Sequence, residues 1–485
     1  MKKKLLTMLL ASAMILGCLA GCGKTETKQS EESKQSEESK QPEESQQTSV
    51  AEQPQEEVIL EIGDWPTDTN PADKALYEDY KKRFEEIYPN IKVVPNEWKF
   101  DVKTFLPTAA SGLLPTLYKT YFTEVDRIVD AGYAADMTDM FQKYGYIDAL
   151  NEGVKDLITR DGKYYFTPQH ATIMGMIINK NLFEQAGLVN ADGTLQIPQT
   201  YEELIETAKI IKEKTGAYGF GFGTTGVGGG WRFMNIAWSY GTKFMEKVDG
   251  KWVSTFGTQE CADALKYYQD LKWKHHVIPD DVILGGVTAF EMFAADQLAM
   301  TFVEHTGAPF VTTYGMDRSE LAFGALPAGP VDRCTQLTGV LYCVSNTATE
   351  AQKDAAVKWL NFIGVGPELT QENRESIIGK YAKQSGAGNP VGIYPYSIWK
   401  EGNEVREFTE RTISQYANID MKYFEEYANF DALTVLPEEP ACCQDLYQVL
   451  SNCLQEVLAD ENADPLAVVQ KASEEFQKNS LDLVE

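Results

Sequence analysis

Hydrophobic positions along this chain fall into three regimes. Residues 5–19 form an almost unbroken apolar run, residues 23–49 hold almost no aliphatic or aromatic side chain, and from residue 58 short β-branched runs alternate with helical spacings. The segment 58–62 (Val-Ile-Leu-Glu-Ile) reads as a strand buried on both faces, ended by Gly63 and Asp64. Over 72–88, Leu76, Tyr80, Phe84 and Ile87 stand near helical spacing, and Pro89 closes that helix. A strand at 91–94, a helix at 105–111 and a strand near Leu117 and Tyr118 follow. This alternation is the pattern of a doubly wound α/β layer. Short helices are expected at 125–131 and around Phe141 and Tyr144.

The middle of the chain repeats the theme. A strand is expected over 174–179, then a short helix at 182–186 stopped by Gly187. Thr200 is a good N-cap for a helix over 201–215, with Glu203 at the capping-box position, Leu204, Ala208 and Ile211 as the buried stripe, and Gly216 as the stop. Strands are expected at 218–222, 298–303, 323–326 and 339–344, and helices at 260–275 and 289–295. The glycine-rich 226–230 reads as a loop. From 348 the chain turns mostly helical, including 350–363, 404–417, 443–460 and 465–478.

The N-terminal regimes carry no fold. Lys2, Lys3 and Lys4 precede the apolar run, and small residues lead to Cys22, the layout of a removed export signal over 1–21. The run falls short of the ~20 residues that a bilayer-spanning helix needs. After Cys22, the hexamer Lys28-Gln29-Ser30-Glu31-Glu32-Ser33 recurs from Lys34 and again, with Pro42, from Lys40. It is too polar to order itself, and 22–56 is expected to be a disordered linker. As a flexible coil of ~33 residues it would span about 30 Å. Leu19-Ala20-Gly21-Cys22 resembles the lipobox of bacterial lipoproteins. The resemblance implies that Cys22 begins the mature chain and carries acyl chains, anchoring it to the outer face of the cell membrane.

Charge and chemistry narrow the classes. The 72 acidic residues outnumber the 44 basic ones, for a net charge of −28 that becomes −31 once 1–21 and their three Lys are gone. Such a balance argues against nucleic acid and against broad contact with anionic lipid, so the membrane is touched by the lipid anchor only. The remaining ~430 residues suit two domains. Of eight Cys, six lie beyond Cys22. Cys334 and Cys343 are spaced to bridge across a hairpin, or to remain buried free thiols. With four His in all, the chain shows no HExxH, Walker or dinucleotide pattern, and neither cofactor, metal nor Ser/His/Asp catalysis is expected.

A family resemblance enters through ordered motifs. Gly162-Lys163-Tyr164-Tyr165-Phe166-Thr167-Pro168 leads into Met176-Ile177-Ile178-Asn179-Lys180-Asn181-Leu182-Phe183-Glu184-Gln185-Ala186-Gly187-Leu188, and then Pro198-Gln199-Thr200-Tyr201-Glu202-Glu203-Leu204. With Ala109 to Pro115, Gln297 to Met300 and Lys353 to Phe362, this resembles the maltose-binding-like extracellular solute-binding proteins (family 1) of ABC importers. The resemblance implies a periplasmic-binding-protein-like α/β fold. Its two lobes would each be a doubly wound sheet flanked by helices, one from 57–168 plus 327–363 and the other from 169–326 plus 364–485. Crossovers are expected near Pro168 to Met174 and Phe323 to Pro327, with a third connection near Gly364 to Pro367. It further implies a monomer that closes by hinge motion on a carbohydrate and docks on a membrane permease.

Sugars are gripped by aromatic faces and by polar groups on their hydroxyls. Candidates at strand ends and crossovers are Asp64 and Trp65 after the first strand, Tyr121, Phe122 and Glu124 after the third, and His170 in the first crossover. Trp231 and Arg232 follow the glycines, Glu304 and His305 end the strand at 298–303, and Tyr396 and Trp399 lie in a Pro/Gly-rich segment. Trp65 and Trp238 have core readings as well. Glu304-His305 stands where the family commonly has a small residue and Trp, which argues against a maltose-like ligand. The aromatics and the single Arg favour a neutral carbohydrate over a peptide, polyol or anion. A tethered carbohydrate-active enzyme and an adhesion lipoprotein are the alternatives.

Overall fold

The computed structural model describes residues 56–484. The export signal, Cys22 and the hexamer repeat therefore lie outside the described residues.

The strand Val58–Ile62 pairs in parallel with Ile91–Pro95 on one side and Leu117–Tyr121 on the other. Parallel neighbours need a crossover, and the helices Pro71–Ile87 and Phe105–Ala110 supply it. The first begins where the Asn70 side chain accepts the Asp73 N–H and Pro71 fills the first turn. Its core-facing stripe is Tyr77, Tyr80 and Phe84, while Leu76 and Ile87 are exposed. Phe84 meets Trp359 edge-on at 5.2 Å, joining this helix to Glu350–Phe362.

Two long antiparallel strands bind the lobes together. Phe166–Asn179 runs out of the first lobe, and Cys334–Val344 runs back beside it. The outgoing strand pairs its far half with Met300–Glu304 and Leu321–Gly324, while the return strand pairs its far half with Leu117–Tyr121. Its near half pairs with Thr434–Pro437. The hydrogen bonding is thus one curled mixed sheet across two lobes, and the two strands are the hinge crossovers. The second crossover lies in Cys334–Val344 rather than at Phe323 to Pro327, because Leu321–Gly324 stays in the second-lobe sheet.

Two hydrophobic cores form around this sheet. One gathers Leu60, Phe84, Tyr118, Leu341 and Trp359, and the other Met176, Leu204, Phe220, Phe302, Leu450 and Phe476. Period-two alternation along the crossover sends Ile173 and Ile177 to the first and Met174, Met176 and Ile178 to the second. The C-terminal portion divides between them. Buried side chains from Ile377 to Tyr427 pack in the first core, and those from Ala441 to Leu481 in the second.

Two local expectations change, and the cysteine alternatives resolve to buried free thiols. The glycine-rich 226–230 opens the helix Gly226–Ser239 instead of looping. Glycine costs a helix about 1 kcal/mol per residue, but here it permits contact with the helix Cys443–Ala459. A Cβ on Gly230 would lie 2.0 Å from the Tyr447 carbonyl oxygen, and the Gly230 N–H donates to Ser451 Oγ at 2.7 Å. Residues 218–222 form only an isolated bridge, Tyr218 to Leu298, with Gly219 pressed on Ala208. Cys334 and Cys343 occupy one strand, about 30 Å apart at strand rise, and are both buried free thiols. No helix among the described residues is long and apolar enough to cross a membrane.

Candidate ligand cleft

A cavity of about 460 Å³ opens beside the crossover. Gln169, His170 and Ala171 of the outgoing strand form its floor. One wall is His305, Thr306 and Pro309, which follow the second-lobe strand Met300–Glu304; the facing wall is Ile363, Gly364 and Val365, which end the first-lobe helix Glu350–Phe362. The remaining side is closed by the helices Gln371–Gly386 and Glu404–Tyr416 and the segment between them, which bring Lys380, Tyr381, Tyr396, Trp399, Arg406 and Glu410 to it.

The sequence fixes these closing elements locally. Thr370 caps the first helix by accepting the Asn373 N–H, and Asn403 caps the second by accepting from Val405 and Arg406. Asn418 clamps the intervening segment, accepting the Val391 N–H at 2.8 Å and donating to the Asn389 carbonyl at 2.9 Å. Asn151 N–H donates to the Ile398 carbonyl, and Lys400 N–H to the Ala149 carbonyl. Trp399 is buried against Tyr146, with ring centroids 5.9 Å apart.

The cavity's ionisable groups are unusual. His305 Nδ1 shares a hydrogen bond with Thr172 Oγ1 at 2.9 Å. Burial, with help from Lys380 and His170, pushes the His305 pKa down to about 3. Burial, then Lys380 and Lys119, pushes His170 down to about 4. Both imidazoles are therefore neutral near pH 7, each offering one N–H and one acceptor nitrogen. The Lys380 side chain is open to the cavity's solvent, yet the protein around it strips enough hydration to lower its pKa. Its ammonium lies 5.2 Å from the Tyr381 ring centre. Arg406 Nε is held by Glu410 at 2.8 Å.

Four of the sequence candidates, His170, His305, Tyr396 and Trp399, line this cavity together. The rest lie elsewhere. Asp64 is paired with Lys119 at 2.9 Å and Lys99 at 3.4 Å, and Tyr121 stands near it, edge-on to Phe100. Trp65 is buried between Tyr77 and Trp359 in the first core. Phe122 packs where Gly339 leaves no Cβ. Glu124 is buried and bonded to Arg127 and Thr123. Arg232 is buried, donating to the Phe302 and Gly228 carbonyls, with its guanidinium 5.2 Å from the Trp231 ring. Glu304 faces Arg232 electrostatically and accepts from Thr306 Oγ1 at 3.1 Å.

A second polar contact joins the lobes beside Glu124. Gln444 Nε2 donates to Thr123 Oγ1 at 3.3 Å, and the buried Glu438 accepts from Tyr447 Oη at 2.7 Å. Burial raises the Glu438 pKa to about 7, and Glu124 adds to the rise. Sequence reasoning missed Lys380, Gln169, Tyr381 and Glu438. Each sits in an ordinary stretch of sequence, and only the packing of distant elements brings the first three to one cavity and buries Glu438.

Two α/β lobes, two crossover strands as a hinge and a half-open cavity of mixed polar and apolar lining beside that hinge define a two-lobe ligand-binding protein. The chain belongs to the bacterial extracellular solute-binding protein family, whose model matches residues 67–364. A putative binding protein of Brucella abortus (strain 2308) is 27% identical over 321 residues, covering 63% of this chain and 72% of that protein. An ABC transporter solute-binding protein of Thermotoga lettingae bound to α-D-tagatose has TM-score 0.64 at 19% identity, covering 87% of this chain and 99% of that one. The cyclic α-maltosyl-1,6-maltose binding protein of Arthrobacter globiformis has TM-score 0.62 at 20% identity, covering 87% of this chain and 100% of that one.

Proposed function

We propose that this protein is the carbohydrate-capturing subunit of an ABC importer, held at the outer face of the membrane by lipid on Cys22. The observation that carries the reading is the cavity beside the crossover strands, whose walls come from both lobes and mix aromatic rings with neutral hydrogen-bonding groups. Such a lining fits a sugar: Tyr381 and Tyr396 offer faces to C–H surfaces, and His170, His305, Gln169 and Gln384 offer partners to hydroxyls. Family membership and the sugars named for the Thermotoga and Arthrobacter relatives support it. Bending at the crossovers would open the cavity to admit ligand and close it for delivery to a permease. No bond is made or broken.

The test is a thermal-shift screen of the purified protein against mono- and oligosaccharides. A true ligand at 100 times its Kd stabilises the fold by about 2.7 kcal/mol. A screen in which every carbohydrate leaves the transition unmoved, while the protein melts cooperatively, refutes the carbohydrate reading.

A further inference from the structure

The cavity floor at His170 continues across the sheet. His170 stands opposite Val340 of the return strand, and Val340 stands opposite Tyr121 of Leu117–Tyr121. Directly opposed residues of antiparallel strands point to one face, so His170, Val340 and Tyr121 form a single row. Neighbouring strands lie about 4.8 Å apart, and the row therefore runs roughly 10 Å out from the cavity. It is open: Val340 is half-buried, Tyr121 is 44% exposed, and neither belongs to the two hydrophobic cores. Phe100 braces the Tyr121 ring in an edge-on pair at 5.8 Å. A polar row flanks this one on the same face, where Lys119 stands opposite Tyr342. Gln169 Nε2 from the cavity floor reaches Tyr342 Oη at 3.5 Å, the Lys119 ammonium lies 5.8 Å from the Tyr342 ring centre, and Asp64 pairs with Lys119 at 2.9 Å.

Resting on the carbohydrate reading, we propose that the ligand is an oligosaccharide of at least three units, with one ring in the cavity beside His170 and the ring two units on stacked against Tyr121. The make-up of the shelf selects a sugar chain. Tyr121 and Val340 present apolar surface to C–H faces, while Asp64, Lys119 and Gln169 along its edge present acceptors and donors to hydroxyls. Continuity with the cavity lets one extended ligand occupy both. The span sets the length. A pyranose unit, built from bonds of ~1.5 Å, measures about 5 Å from one glycosidic oxygen to the next. A row of roughly 10 Å therefore separates the two rings by one intervening unit, which passes over Val340.

The test is calorimetric titration of the full-length protein with the malto-, cello- and xylo-oligosaccharide series, from monosaccharide to tetrasaccharide. In a series that binds, the trisaccharide is expected to bind about tenfold tighter than the disaccharide, the gain of one stacked ring. Tyr121→Ala should bring the trisaccharide-to-disaccharide affinity ratio close to one, and Tyr121→Phe, which keeps the ring, should restore it. The wild-type length comparison stands without any variant, so poor folding of Tyr121→Ala leaves the test intact. Affinity that gains nothing from a third unit, or a gain that folded Tyr121→Ala keeps in full, overturns the extended ligand and leaves the carbohydrate reading standing. Silence toward every saccharide, short or long, overturns both.

Discussion

Replacing Gly230 with Ala tests the helix packing that presents Trp231 and Arg232. A Cβ built there would lie 2.0 Å from the Tyr447 carbonyl oxygen and 2.7 Å from both the carbonyl carbon and Cα of the same residue. All three are backbone atoms of Cys443–Ala459, so no rotamer change relieves them. Restoring a contact of roughly 3.5 Å requires the helices to part by about 1.5 Å. Overpacking of this kind typically costs ~1–3 kcal/mol, and a backbone-on-backbone clash belongs at the upper end. Parting also breaks the Gly230 N–H to Ser451 bond, for ~1 kcal/mol more. Alanine returns up to ~1 kcal/mol of helix propensity. The net expectation is a loss of ~2 kcal/mol or more, read by circular dichroism as a lower urea midpoint at unchanged slope. Gly379→Ala is the control. That glycine is also helical but has nothing within 4 Å of its added Cβ, so alanine should stabilise by ~0.5–1 kcal/mol. A Gly230→Ala protein as resistant to urea as the wild type would show that the two helices do not approach so closely.

The contribution of Glu438 to stability should fall as pH rises. Its folded pKa is raised to about 7 by burial, against an unfolded value near ~4.3. Between roughly pH 4.5 and 7 the folded state keeps a proton on Glu438 that the unfolded state has lost, so its contribution declines across that range and is flat above it, while the lowered His170 and His305 act with the opposite sign below about pH 6.5. Glu438→Gln should lessen the slope of the urea midpoint against pH and raise stability at pH 8, with little change at pH 4. An unchanged profile would show that Glu438 ionises as an exposed carboxylate does. The thiols offer a third check. Alkylation in urea without reductant should label all six of Cys261, Cys334, Cys343, Cys442, Cys443 and Cys453, with half-exposed Cys442 first under native conditions. A mass-mapped peptide pair joined through Cys334 and Cys343 would contradict their placement on one strand.

Local structure was legible wherever a short-range rule acts alone. The strand Val58–Ile62, the capped helix Tyr201–Thr215 and the α/β alternation all follow from period, caps and breakers within a few residues. Order along the chain, through the motifs between Gly162 and Leu204, was enough to indicate the family. Tertiary structure decided the rest. The glycines at 226–230 carry a loop signature locally, and only the helix Cys443–Ala459, more than 200 positions away, makes their lack of side chains a reason to be helical. Trp65 reads equally as a site or a core residue until Tyr77 and Trp359 close around it. The cavity followed the same logic, since its floor, walls and cover come from segments between residues 169 and 410. Period and propensity are properties of neighbours in sequence. Enclosure belongs to neighbours in space, and no local pattern in this chain marks Gln169 or Tyr381 as lining a cavity.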